Sequence, residues 1–259
     1  ERRAIRERFR PKGPVFQECE EGLLRALCPT LWEPILEARR LFEDRASPAV
    51  TGRVRDLALS FSPAAPGNGI LLVPQIFAVD RLEEIVLALE DYERSGLPIT
   101  RPNDKVPLGM VLEDNPGFEG LLGFLEHRVF VPLAWVLYTS LAPGIAQSLA
   151  FNPTHRKTFV KQYFPGRDTK PTTHFDPSVL TFSLCLGRSF EGSAVYFHDM
   201  HNNREDSCPY RPAHPKPCTD CRYVHHHQPG QLLIHRGKHV HGVFPIESGE
   251  RWSMIMWLS

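Results

Sequence analysis

The chain has 259 residues, enough to bury a large core as one large domain or two small ones. Lys+Arg and Asp+Glu are equal at 30 each, so no global field draws it to nucleic acid or an anionic membrane. Its longest apolar stretch, Val129 to Tyr138, is about half of the roughly 20 residues a membrane span needs, so none is expected. Hydrophobic content of 42% and charged content of 23% are ordinary for a soluble globular chain, with cytoplasm or nucleus favoured over the lumen of the endoplasmic reticulum. The first residue is Glu1 rather than Met, which leaves an upstream leader or anchor open.

In chain order, residues 1–67 read as a helical N-terminal extension packed on the core, and 68–259 as the main domain. Leu23, Leu27, Leu31 and Ile35 recur at roughly helical spacing, with Pro29 and Pro34 breaking or restarting the helix. Ser62 to Gly69 is a breaker-rich connection. "ILLVPQIF" then reads as a buried strand, followed by Asp80 as N-cap with Glu83 three residues on, a capping-box pattern. The helix this predicts, Arg81 to Ser95, carries Leu82, Ile85, Val86, Leu89 and Tyr92 on one face. A second helical region covers about Phe118 to Tyr138, with Pro132 expected to kink or divide it.

From His155 the pattern changes. "KTFVKQYFPG", "TTHFD", "VLTFSLCLG", "SAVYF", "GQLLIH", "HVHGVFP" and "RWSMIMWL" are short β-rich segments between Pro, Gly and charged turns. Helices first and then a run of strands predict an α+β protein with a mainly β core, a barrel or jelly roll with helices outside it.

His174-Phe175-Asp176 lies at the end of one such segment. In a strand, residues i and i+2 face the same side, so the imidazole and the carboxylate can meet one metal. A third ligand must come from another strand, and His235, His239 and His241 compete for the place. Two His and one carboxylate on one face leave coordination positions open for O₂ and a chelating co-substrate, the arrangement of non-haem Fe(II) oxygenases. Taken alone, the triplet is a weak signal, and among twelve histidines it reads first as a surface His beside an acid. Arg251 lies ten residues after His241, and a strand beginning there could place its guanidinium to hold a dicarboxylate in a bidentate pair. Ser253 shares that face and could donate to the same carboxylate. The plainer alternative for Arg251 is a surface ion pair with Glu247 or Glu250.

"QYFPG", "THFD", "FEGSAVYF" and "HRGKHVHGVFPIESGERWSMIMWL", in this order, resemble the prolyl/lysyl-hydroxylase type of 2-oxoglutarate- and Fe(II)-dependent dioxygenases, and most closely the 2-oxoglutarate and iron-dependent oxygenase domain-containing group. "VPQIFAVDRLEEIVLALEDYERSGLPITRPN" and "HRKTFVKQYFPG" extend the resemblance over roughly residues 70–259. It implies a double-stranded β-helix with supporting helices. His174, Asp176 and His241 match the iron ligands, His241 being selected by its spacing to Pro245 and Arg251. Arg251 matches the residue that binds the distal carboxylate of 2-oxoglutarate. Tyr163 matches a family tyrosine near co-substrate or substrate, and Thr181 lies where a further 2-oxoglutarate contact is often placed. The implied reaction is hydroxylation of a substrate C–H with release of succinate and CO₂, with ascorbate as reductant. Ser193 departs from the family pattern, replacing the second Gly of the usual "GG" turn.

The other departure is a Cys/His-rich insertion at about 198–227. Cys218 and Cys221 form a C-x-x-C pair, and with Cys208 and one of His214, His225, His226 or His227 could complete a tetrahedral Zn(II) site. Free thiols, or a disulfide in an oxidising compartment, are the alternatives. The run His225-His226-His227 equally reads as a solvated turn. The expected substrate is a protein or peptide Pro or Lys side chain; a small molecule, a nucleic acid, or an inactive zinc-stabilised binding module on the same scaffold are the competing readings.

Overall fold

Proline and charge placement set the helical half. The structure, a computed structural model of the chain, describes residue 4 and residues 9–16, 19–47, 51–61, 69–102, 108–149, 151–166, 173–198 and 223–259. Glu20 and Glu21 open α1 (Glu20–Ala26), where the helix dipole favours acid. Pro29 starts a 3₁₀ turn that re-aims the chain into α2 (Trp32–Glu43), and Pro34 falls in its first turn, where a missing N–H is tolerated. After α3 (Thr51–Phe61) come β1 (Leu71–Val73) and α4 (Val79–Arg94). Asp80 is not the N-cap of α4. The helix starts two residues earlier than expected, at Val79 after Ala78, and no side chain caps it. Asp80 instead faces Arg81 at 3.3 Å, while Glu83 joins Glu90 and Glu250 around Arg188, tying α4 to the sheet.

After β2 (Gly109–Val111) the second helical region also departs from expectation. α5 (Glu119–Phe124), a π-helical turn (Leu125–Phe130) and α6 (Val131–Leu141) form one run, and Pro132 does not divide it. The wider turn before the proline accommodates the ring and the missing donor. The run Glu119–Leu141, 23 residues, is long and apolar enough to cross a membrane by length and composition alone. Its α6 packs against α2 and α3, and Leu133, Val136, Leu137 and Tyr138 are fully buried, so it serves as a core helix here. A short α7 (Pro143–Ala146) ends this half.

The remaining chain is antiparallel. β3 (Arg156–Tyr163), β4 (Leu180–Gly187), β8 (Leu232–Arg236) and β11 (Arg251–Leu258) join β1 and β2 in a six-stranded sheet of order β1-β8-β4-β11-β3-β2. β7 (Tyr223–His225), β6 (Val195–Phe197) and β9 (His241–Val243) form a smaller sheet in that order, and β5 (Phe190–Gly192) pairs with β10 (Ile246–Gly249). The His174 segment bridges to His241 at the edge of the smaller sheet. The whole is a double-stranded β-helix with helices against its larger sheet, an α+β fold.

Two-residue alternation decides which side chains enter the barrel. Phe182, Leu184, Leu232, Ile234, Trp252, Met254 and Met256 belong to one core with the helices, α1 to α3 included. Arg251, Ser253, Thr181 and His235 are therefore on the opposite face, inside the barrel. From the other wall Val195 and Phe197 of β6 meet Leu233 of β8 in a second, interior cluster. Phe130 stacks on Phe182 with ring centres 4.8 Å apart, joining helix layer to sheet. Phe182→Ala is expected to cost about 3–5 kcal/mol of stability, read as a lowered denaturant midpoint at unchanged slope.

Candidate metal centre and anion pocket

His174, Asp176 and His241 meet at the rim of the barrel. Their ligand atoms lie within 4.8 Å of one another, and among the described residues this is the one cluster of potential metal ligands. Reciprocal backbone hydrogen bonds of 2.9 Å between His174 and His241 set the two imidazoles side by side, 4.5 Å between ring centres. Asp176 Oδ1 lies 3.5 Å from His174 Nε2, and Oδ2 lies 3.7 Å from His241 Nε2. Neighbouring ligands on one metal, each about 2.1 Å from it, sit roughly 3 Å apart, so a small contraction closes the three around an ion. His241 Nδ1 donates to the His239 carbonyl at 2.8 Å, which leaves Nε2 bare for a metal. Asp176 and His241 are buried while His174 is half exposed, so the site opens on the His174 side.

The carboxylate is prepared as an anion. Burial alone would raise its pKa, but His174, His241, His235 and the Thr181 hydroxyl outweigh burial and hold Asp176 at about 2. Thr181 donates to Asp176 Oδ2 at 2.6 Å and is itself 2.9 Å from Ser178 Oγ. Its proton is thus engaged on the carboxylate, a role different from the co-substrate contact the resemblance implies. Thr181→Val is expected to lower Fe(II) affinity about 10- to 100-fold, checked by anaerobic metal titration.

The two competing histidines have other positions. His239 accepts from Arg236 at 3.0 Å, and lies in the turn between β8 and β9, where strand parity does not apply. His235 stands behind the carboxylate, with Nε2 4.0 Å from Asp176 Oδ2 and Nδ1 on the Arg236 carbonyl. Burial above all, then His241, brings its pKa down to about 3. Gly237, overlooked in the sequence, lets this turn touch the Asp176 loop: a Cβ there would lie 2.1 Å from the Ser178 carbonyl oxygen.

Deeper in the barrel, Arg251 is 1% exposed and makes no ion pair among the described residues, so the surface pairing with Glu247 or Glu250 is not what forms. Nη1 donates to the Ser193 carbonyl and to Ser193 Oγ at 3.0 Å, and Nη2 lies 2.9 Å from His227 Nδ1. Ser193 has a left-handed backbone, φ 53°, where the family pattern has glycine; its carbonyl and hydroxyl both receive the guanidinium. Tyr163 is directly opposite Arg251 in the ladder, its ring 5.1 Å from the guanidinium carbon. Arg251 Nε and Ser253 Oγ are buried with no hydrogen-bond partner among the described residues. A buried cation without an acid, beside orphaned donors, is a site for an anion.

β6 links the two places: Ser193, just before it, holds Arg251, and Phe197 at its end lies 5.6 Å from the His241 ring. The four-residue step spans roughly 13 Å of strand. Fe(II) therefore fits His174, Asp176 and His241, and 2-oxoglutarate fits Arg251 and Ser253. A cavity of about 530 Å³ outside the barrel, between α4 and the end of β4, reaches this region only at Phe190 and His227 and includes no metal ligand.

No family model matches the chain. A "2-oxoglutarate and iron-dependent oxygenase domain-containing protein 2" of Xenopus tropicalis is 32% identical over 184 residues, 71% of this chain and 47% of that protein. The chain is a homologue of the 2-oxoglutarate- and iron-dependent oxygenases. It spans about half the length of the curated relatives it matches. A solved oxidoreductase of the 2OG-Fe(II) oxygenase family from Burkholderia pseudomallei shares the fold, at TM-score 0.50 and 15% identity over 78% of this oxygenase homologue and 89% of that chain. So does a Trichoplax adhaerens prolyl hydroxylase solved with a hypoxia-inducible-factor peptide fragment, at TM-score 0.50 and 14% identity, covering 82% and 93%.

In this oxygenase homologue Cys208, Cys218 and Cys221 lie outside the described residues, while Cys28 and Cys185 form no disulfide among the described residues. His225, offered to zinc with them, is 7% exposed on β7, opposite Val195, and faces the barrel interior. His227 is 3% exposed, so the reading of this run as a solvated turn is overturned: His225 and His227 point inward and His226 outward.

Proposed function

We propose that the chain acts as a 2-oxoglutarate-dependent Fe(II) dioxygenase that hydroxylates a C–H of a protein or peptide, with Pro and Lys side chains as the substrate class. The observation that carries the reading is Arg251: a buried guanidinium without an acid partner among the described residues, in the barrel whose rim holds two imidazoles and a carboxylate. When bound, the iron and 2-oxoglutarate supply the oxidising chemistry, in which O₂ is consumed, succinate and CO₂ leave, and the substrate C–H gains an oxygen atom. The chain's own residues bind and orient. Arg251 and Ser253 hold the distal carboxylate, Thr181 fixes the Asp176 carboxylate, the His239 carbonyl fixes His241, and Phe197 and Leu233 keep water from the barrel wall.

The peptide held by the Trichoplax prolyl hydroxylase supports a polypeptide substrate. Phe175, 67% exposed between two ligands, and Val240 beside a third offer apolar rim surface to such a segment. Ascorbate is the reductant that goes with this reading. The C-x-x-C spacing of Cys218 and Cys221 supports a separate zinc site in the insertion, which metal analysis of protein purified without added zinc tests.

Incubation with Fe(II), 2-oxoglutarate, ascorbate and a Pro- and Lys-containing peptide library tests the function. The expected result is succinate together with a peptide heavier by one oxygen atom. Succinate stimulated by a small molecule or a nucleic acid, with no peptide modified, would overturn the substrate class.

A further inference from the structure

Of the two inward histidines of the 225–227 run, His227 has so far only its contact with Arg251, and His225 has no part in the site. β7 pairs with β6 so that His225 lies opposite Val195 and Tyr223 opposite Phe197. Val195 and Phe197 line the barrel interior, so His225 enters the space that Arg251 reaches from the other wall. Its ring is 5.1 Å from that of His227, which touches Arg251. His225 Nδ1 lies 3.3 Å from the Tyr223 hydroxyl; with the phenol as donor, the imidazole proton sits on Nε2. That Nε2 is buried with no hydrogen bond of ordinary geometry among the described residues, as with Arg251 Nε and Ser253 Oγ, although the Gln231 side chain stands beside the ring.

His227 is held differently. Its Nε2 donates to the Gln231 carbonyl at 3.0 Å, which turns Nδ1 towards Arg251 as an acceptor. Both rings are neutral. Burial first, and Arg251 with it, brings His225 down to about 4 against an opposing contact from Gln231, and pushes His227 well below its ordinary range. The pocket thus carries one positive charge and several neutral donors, which matches one carboxylate.

We infer that His225 is a direct ligand of the distal carboxylate of 2-oxoglutarate, donating from Nε2 beside Arg251 and Ser253, and that His227 is the positioning residue that holds the Arg251 guanidinium. The inference rests on the proposed co-substrate. It makes the insertion's exit strand part of the co-substrate pocket.

The test is anaerobic calorimetry of the Fe(II)-loaded protein with two ligands: 2-oxoglutarate, and 2-oxopentanoate, which has the same chain length without the distal carboxylate. His225→Phe is expected to weaken 2-oxoglutarate roughly 10- to 100-fold and to leave 2-oxopentanoate unchanged. His225→Gln, which keeps an N–H donor, should recover part of the loss and serves alone should the Phe variant fail to load iron. His227→Leu should show the same ligand selectivity, with partial recovery in His227→Gln. Equal weakening of both ligands, or no change in either, would overturn the inference. Failure of the wild-type protein to bind 2-oxoglutarate would instead overturn the co-substrate reading beneath it.

Discussion

Asp176→Ala is expected to lower Fe(II) affinity more than about 100-fold and to abolish succinate release, with the fold retained. Loss of a residue that only orients a ligand costs about 10- to 100-fold, and Asp176 is itself the one anionic ligand of the cluster. Neutral imidazoles cannot supply the charge, since burial keeps His241 below its ordinary pKa. The change leaves little strain behind: Thr181 can turn its hydroxyl to Ser178 Oγ, already 2.9 Å away. Anaerobic Fe(II) titration with thermal melting of the apo-protein checks both halves. Undiminished iron binding by a folded variant would remove Asp176 from the centre.

Arg251→Ala should separate co-substrate from metal. Two charge-assisted hydrogen bonds at roughly 1.5–3 kcal/mol each predict at least a hundredfold loss of 2-oxoglutarate affinity, with Fe(II) binding unchanged. Without co-substrate the stability effect is expected to be small, because removing a buried charge offsets much of the lost packing. Ser193 and His227 would lose a donor, but each keeps a second partner or a rotatable hydroxyl. Arg251→Lys retains the charge but not the two-pronged geometry, and should fall between. Calorimetry with Fe(II)-loaded protein reads the series, and unchanged 2-oxoglutarate affinity in the Ala variant would end the assignment.

The strands and the cluster of His174, Asp176 and His241 were legible because period-two alternation survives in β4 and in the first half of β11, and because His174-x-Asp176 needs only one extended segment to bring its groups together. His241 was separable from His239 only through the family spacing; the structure adds the physical reason, a turn that aims the His239 carbonyl at His241 Nδ1. The 225–227 run was opaque for the opposite reason. Three identical residues carry no polarity contrast, so nothing in the string shows that the first and third face inward. Pro132 and Asp80 misled because local rules yielded to packing: a π-helical turn absorbed the proline, and Arg81 took the aspartate. Ser193 stood out only as a missing glycine, and the partner that explains it, Arg251, is 58 residues away.

The most direct measurement is anaerobic addition of 2-oxoglutarate to the Fe(II)-loaded protein, followed by O₂. Chelation of the metal by the co-substrate should produce a charge-transfer absorption band, and O₂ should then discharge it with release of succinate. His174→Ala should give neither signal. Iron binding without the band, or succinate release undiminished in His174→Ala, would contradict an iron centre built from His174, Asp176 and His241.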